Sequence, residues 1–156
     1  MRKALPISNG MKILIGGDHA GFALKNELRD YLSGIGHEVV DKGPFAFDET
    51  DDYPDYVMPL ARDIEEGKAD RGIVIGGSGE GEAMAANRFT GVRAVVYYGG
   101  PLDIIRLSRE HNDATVLSLG ARFLSADEAK QAVDLWLATP FPRDERHVRR
   151  LHKLNG

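Results

Sequence analysis

Gly72-Ile73-Val74-Ile75-Gly76-Gly77-Ser78-Gly79-Glu80-Gly81-Glu82, running on into Ala83-Met84-Ala85-Ala86-Asn87, is the stretch on which the fold turns. Ile73, Val74 and Ile75 are apolar and β-branched, which reads as a buried strand, and the Ala/Met run reads as a helix. Between them Gly76, Gly77, Gly79 and Gly81, with Ser78, make a turn that no ordinary side chain crowds. Glycine there permits positive φ and close approach of a ligand. The free N–H groups of such a loop, where it opens a helix, form an anion site. Glu80 and Glu82 stand in the same turn, and a carboxylate beside an oxyanion-binding loop is what proton abstraction next to a carbonyl requires. A tight connection with solvated glutamates uses the same residue types, so the glycine run alone does not decide between the two.

Outward from this unit the chain alternates strands and helices. Ile13-Leu14-Ile15-Gly16-Gly17 is a short strand, followed by a helix with Leu24, Leu28, Tyr31, Leu32 and Ile35 on one stripe, ending at Gly34 and Gly36. Glu38 to Asp41 is a second strand, and an acidic loop with Asp48, Glu49, Asp51, Asp52 and Asp55 follows, closed by Tyr53-Pro54. A helix runs from about Tyr56 to Glu66, ahead of the opening stretch. Val92 to Tyr97 is strand four, and Gly99-Gly100-Pro101 launches the next helix with proline in its first turn. Thr115 to Leu119 is strand five. Ser125 and Glu128 form a capping box for the helix reaching Leu137, and Pro140 and Pro142 separate it from a last helix to about Leu154. Repeated βα units of this length give a three-layer α/β/α domain with a five-stranded parallel sheet. Met1 to Gly10 reads as a loose leader before a single domain over 11–156.

Composition bounds the function. A chain of 156 residues, 42% hydrophobic and 28% charged, is an ordinary globular protein with room for one core. A net charge of -4 argues against a general nucleic-acid or membrane surface. The absence of cysteine excludes disulfides, thiolate metal sites and a cysteine nucleophile, and it suits a cytoplasmic enzyme. With no cysteine and only scattered histidines, no divalent metal is expected to be required.

In open parallel sheets ligands gather at the carboxyl ends of the strands. Gly17-Asp18-His19, Gly76 to Glu82 and Gly120-Ala121-Arg122 all leave strands at that edge, whereas His111-Asn112 precedes its strand and belongs to the opposite edge. If His111 is catalytic, a second subunit must bring it in.

Five ordered motifs then carry a resemblance. Gly17-Asp18-His19-Ala20-Gly21, Asp52-Tyr53-Pro54, Gly76 to Glu82 with Ala86-Asn87, Arg109-Glu110-His111-Asn112 and Arg146-His147 together closely resemble the sugar-phosphate isomerases typified by ribose-5-phosphate isomerase B, with allose- and galactose-6-phosphate isomerases as relatives. The resemblance spans Met11 to about Leu151. It implies interconversion of an aldose phosphate and a ketose phosphate through a cis-enediolate, most simply ribose 5-phosphate and ribulose 5-phosphate. It also implies no cofactor, and a homodimer, in some members paired into a tetramer, with sites at the interface and a last helix reaching toward the partner.

The resemblance assigns roles singly. Many members carry a cysteine base where this chain has Gly76, and others use a glutamate at the position of Glu82, which this chain matches; Glu80 is the rival in the same turn. Ser78 matches the hydroxyl that manages the O1/O2 proton, while the amides of Gly77, Gly79 and Gly81 would hold the enediolate oxygen. Asp18 resembles an acid that positions a sugar hydroxyl and also suits a helix N-cap. His19 resembles a phosphate-side residue, and His111 matches the ring-opening acid, a task that suits an imidazole. Asn87 and Asn112 match substrate-side amides, and Tyr53 with its acidic loop is a specificity candidate. Arg122, Arg146 and Arg150 match the phosphate-gripping arginines, with Arg143 expected on the same face of the last helix as Arg146 and Arg150.

One departure concerns Tyr97 to Asp103, about two residues longer than in typical members, which bears on the sugar more than on the reaction. The architecture also suits a flavodoxin-like or nucleotide-binding module, although no Lys-Ser/Thr follows the glycines and no third dinucleotide-loop glycine is spaced correctly. A silent member of a mixed oligomer is the third reading.

Overall fold

Alternation along the strands decides which side of the sheet each side chain serves. Ile13 and Ile15 of β1 (Lys12–Gly17), Ile73 and Ile75 of β3 (Arg71–Gly76) and Leu117 and Leu119 of β5 (Val116–Gly120) pack into one core. That core includes Leu28 and Leu32 of α1 (Phe22–Gly34), Ile105 of α4 (Asp103–Glu110) and Val133 and Trp136 of α5 (Ala126–Ala138). Leu14, Val74 and Val116, one position out of phase, face the other core with Val57, Leu60 and Ile64 of α2 (Pro54–Glu65) and Ala85 and Ala86 of α3 (Glu80–Ala86). A period of two on strands covered on both faces produces the three layers.

The computed structural model describes residues 10–156, so the expected leader lies almost wholly outside the described residues. With β2 (Glu38–Asp41) and β4 (Ala94–Tyr97), the sheet has the order β2-β1-β3-β5-β4, and every pairing is parallel. The chain leaves β1 toward β2 and returns on the other side of β1 to make β3, so the switch point lies between β1 and β3. Register pairs Gly17 with Ile75 and Gly76 with Gly120, which sets the exits of β1, β3 and β5 side by side.

The capping box at Ser125 and Glu128 forms in both directions. Three expectations shift. Strand four begins at Ala94, because Val92 closes a turn onto Phe89 and the Arg93 N–H turns to the Thr115 hydroxyl. Pro101 precedes the N-cap Leu102 instead of entering the first turn of α4. Arg143 adopts φ 62° ahead of α6 (Glu145–Leu154), so it does not share a helical face with Arg146 and Arg150. Lys25, on the buried side of α1, is fully enclosed with its ammonium 2.7 Å from Asp41 and 2.9 Å from the Asn26 amide oxygen. Asp41 also accepts from the Gly43 N–H, so one carboxylate turns the chain at the end of β2 and, through Lys25, ties that end to α1. No helix among the described residues is long and apolar enough to cross a membrane.

Candidate functional site

At the exit of β3 the backbone must turn sharply while staying under neighbouring strands. Gly79 does so at φ 83°, with its carbonyl accepting a 2.6 Å bond from the buried Ser118 hydroxyl of β5. Ser78 Oγ accepts from the Glu80 N–H at 3.2 Å. The two glutamates of this turn then separate. Glu80 points to solvent, while Glu82 is 4% exposed. Gly76 creates the room: a Cβ on that residue would fall on the Glu82 carboxyl group. Burial pushes the Glu82 carboxyl above the ordinary glutamate range, against a backbone bond of its own that lowers it, and the charge of Asp18 adds to the rise. A buried carboxylate poised this way is suited to take and return a proton near neutrality.

Around Glu82 stand residues from the neighbouring exits. Asp18 caps the single 3-10 turn His19–Gly21, accepting from the Ala20 N–H at 2.9 Å and the Gly21 N–H at 3.3 Å. The Tyr53 ring packs over Gly81 and the Arg122 guanidinium over Gly77, while the Arg122 N–H donates to the Gly77 carbonyl. His19 lies within electrostatic reach of Asp18 and Arg122. One edge of one chain thus collects Asp18, His19, Tyr53, Gly77, Ser78, Gly79, Gly81, Glu82 and Arg122.

The remaining residues do not join them. His111 caps the C-terminus of α4 and stacks on His147 of α6, with ring centroids 4.3 Å apart and an interplanar angle of 18°. Arg146 and Arg150 lie within electrostatic reach of His147, whose proton affinity is lowered by burial first and then by His111 and these arginines. Asn112 follows His111, and its carbonyl accepts from Arg93 Nε. This group sits at the amino-terminal edge of β5; five strand residues at about 3.3 Å each put the two edges roughly 16 Å apart. Asn87 lies apart from the Glu82 group: its amide donates to the Ala94 carbonyl and accepts from the Ala94 N–H, extending the edge of β4, and it lines a cavity with Asn112.

Three residues that the structure singles out have no role of their own in the sequence reading. His147 stands beside Arg146 in a motif without a role, yet it is buried under His111 with Nε2 unpartnered among the described residues. Arg109 is buried and binds the carbonyls of Thr139 and Ala114 and the carboxylate of Asp113, bracing the turn that carries His111. Asp51 was one acid among five in its loop, with no spacing to distinguish it, and it contacts His19 directly. Asp18, His19 and Asp51 bring ligand atoms within 4.8 Å of one another, but one oxygen of each carboxylate, Oδ1, is engaged by backbone N–H groups or by His19.

The family described as Ribose/Galactose Isomerase matches residues 13–154. Ribose-5-phosphate isomerase B of Escherichia coli (strain K12) is 42% identical over 145 residues, covering 93% of this chain and 95% of that protein. Ribose-5-phosphate isomerase B of Mycobacterium leprae is 37% identical over 143 residues, covering 92% and 87%. Among solved structures, ribose-5-phosphate isomerase B of Clostridium thermocellum superposes with a TM-score of 0.88 at 44% identity, covering 93% of this chain and 95% of that one. The Mycoplasma genitalium enzyme with bound ribulose-5-phosphate gives 0.87 at 37% identity, covering 92% and 93%.

Proposed function

Because this chain belongs to the ribose/galactose isomerase family, we propose that it interconverts D-ribose 5-phosphate and D-ribulose 5-phosphate, an aldose–ketose isomerisation. The observation that carries the chemistry is the buried Glu82 carboxylate lodged in the space that Gly76 leaves open. In the open-chain aldose, Glu82 takes the proton from C2, giving a cis-enediolate, and returns it to C1. Loop amides at Gly77, Gly79 and Gly81 hold the enediolate oxygen, Ser78 shuttles the O1/O2 proton, and Asp18 and Tyr53 orient sugar hydroxyls. Arg122, Arg146 and Arg150 hold the phosphate, with guanidinium forks matched to its oxygens. His111 opens the furanose ring, steadied by Asn112.

The separation of the two groups by the length of β5 supports an obligatory homodimer, in which one chain brings His111 from the end of α4, with Arg146 and Arg150 of its last helix, to the Glu82 edge of the other. Exposed apolar side chains at Met84, Ile104 and Leu154 are consistent with further surface being covered on assembly. A panel of pentose and hexose phosphates assayed for aldose–ketose exchange tests the reading. Ribose 5-phosphate is expected to turn over best, and preference for a 6-phosphohexose would move the assignment to another sugar within the family. Turnover of none would end it.

A further inference from the structure

The residue with the least explained environment at the Glu82 edge is Asp51. Its side chain is 4% exposed although it belongs to an acidic surface loop, and its Oδ2 is buried with no partner among the described residues. Its Oδ1 accepts from His19 twice, from the ring Nδ1 at 2.7 Å and from the backbone N–H at 3.1 Å. A carboxylate taken out of water is costly unless a positive charge compensates it. The ring touching it is the compensating group.

We propose that Asp51 is a positioning residue that clamps His19 as an imidazolium in the sugar-phosphate site, so that Nε2–H is offered as a donor to an anionic oxygen of the substrate. An ionised carboxylate only accepts, so the proton on Nδ1 is held there by the contact itself. No hydrogen bond among the described residues engages Nε2, and the ring retains 28% of its exposure, enough to meet a ligand. The groups facing the ring are Asp51, Asp18 and Asp48 on the acidic side and Arg122 on the basic side. The Asp51 hydrogen bond dominates and raises the proton affinity of His19, against burial and Arg122. Phe47 meets the ring edge-on at 6.4 Å and Phe22 meets Phe47 at 6.1 Å, so the loop that carries Asp51 also walls the ring laterally. Neutral His19 would present a lone pair at Nε2 and repel the same oxygen, so the clamp decides whether the ring attracts or rejects an anion.

The inference rests on the isomerase reading for its substrate and not for its geometry, so two readouts are used. In the free protein the His19 ring is titrated by NMR in wild type, Asp51→Asn, Asp51→Glu and Asp48→Asn. Asp51→Asn is expected to lower the midpoint toward that of an ordinary imidazole, Asp51→Glu to restore most of it, and Asp48→Asn to leave it nearly unmoved, since Asp48 is tied to Thr50. Inorganic phosphate, followed at the same resonance, is expected to bind more weakly to Asp51→Asn as pH rises. With ribose 5-phosphate, Asp51→Asn is expected to raise KM about 10-fold, as for one lost charge-assisted contact, with a smaller change in kcat and an onset at lower pH than in wild type. An unchanged His19 midpoint in Asp51→Asn overturns the clamp, as does a lowered midpoint with unchanged KM and phosphate binding. If wild type turns over no sugar phosphate, the isomerase reading fails by itself, and the titration and phosphate arms still judge the clamp.

Discussion

The two edges of the sheet hold opposite kinds of machinery. At the carboxyl edge the key groups are enclosed and pre-set: Glu82 lies in the volume beside Gly76, Asp18 is bound to two backbone N–H groups, and Ser78 is held to Glu80. At the amino edge His147 and the bracing Arg109 are buried, while Arg146 and Arg150 are exposed cations with no carboxylate partner among the described residues. A proton-transfer group gains from desolvation before the substrate arrives, because burial moves its proton affinity toward neutrality. A phosphate grip does not need this, because its opposite charge arrives with the ligand. The difference teaches that one chain carries a finished base and an unfinished clamp.

The comparison breaks most visibly at Glu82. Glu82→Gln is expected to lower kcat by about 10²- to 10⁴-fold while Glu80→Gln stays near wild type. The reverse ranking would transfer the base to Glu80. With wild type, the acid limb of kcat/KM is expected above the ordinary glutamate range, because burial raises the Glu82 proton affinity and only its ionised form accepts a proton. The same sign gives a stability outcome. A carboxyl whose folded-state pKa is raised favours folding below its unfolded pKa and loses that contribution as pH climbs through the folded value. Glu82→Gln therefore is expected to unfold at an equal or higher temperature than wild type at neutral pH, and a clear drop in Tm would contradict the burial cost.

Mixing tests whether the two edges belong to one site. Glu82→Gln and His111→Ala chains, each inactive alone, are refolded together. Half of the dimers are mixed and each has one intact site of two, so about a quarter of normal activity returns if opposite edges meet across the interface. No recovery, with mixed dimers demonstrated, would put both residues in one subunit's site.

Gly76→Ala sharpens the contrast between pre-set and open. Its methyl would occupy the place of the Glu82 carboxyl, and a displacement of an ångström is expected to cost about 10²-fold in kcat, with KM little changed. Arg146→Ala and Arg150→Ala probe the other edge. Each is expected to lose one charge-assisted contact of about 1.5–3 kcal/mol, roughly 10- to 150-fold in kcat/KM, for phosphorylated sugars only. An equal loss on a non-phosphorylated sugar would remove them from the phosphate grip.

The smallest effect is expected at Asn87, whose amide serves the backbone of Ala94. Asn87→Ala is expected to cost about 0.5–1.5 kcal/mol of stability per bond lost and to leave kcat/KM nearly unchanged. A large kinetic loss at unchanged stability would return Asn87 to the substrate.

Much of this was legible along the chain, for identifiable reasons. Apolar runs ending in glycine marked β1 and β3, and Ser125 with Glu128 marked the start of α5, because those signals are local. Asp51 and His147 were not legible as partners of His19 and His111, because each pair joins elements distant in sequence and no periodicity encodes the meeting. Asn87 matched a motif, yet the turn after α3 spends its amide on β4.

By itself the amino-acid sequence determined the alternation of strands and helices, the parallel sheet, and the glycine turn with two acids, since periods of two and near four and the conformational demands of glycine act over a few residues. Only the tertiary structure decided which acid is buried. Glu80 and Glu82 are two residues apart in one helical turn, so they point in different directions, and only one direction meets the space above Gly76, beside the switch point of the sheet.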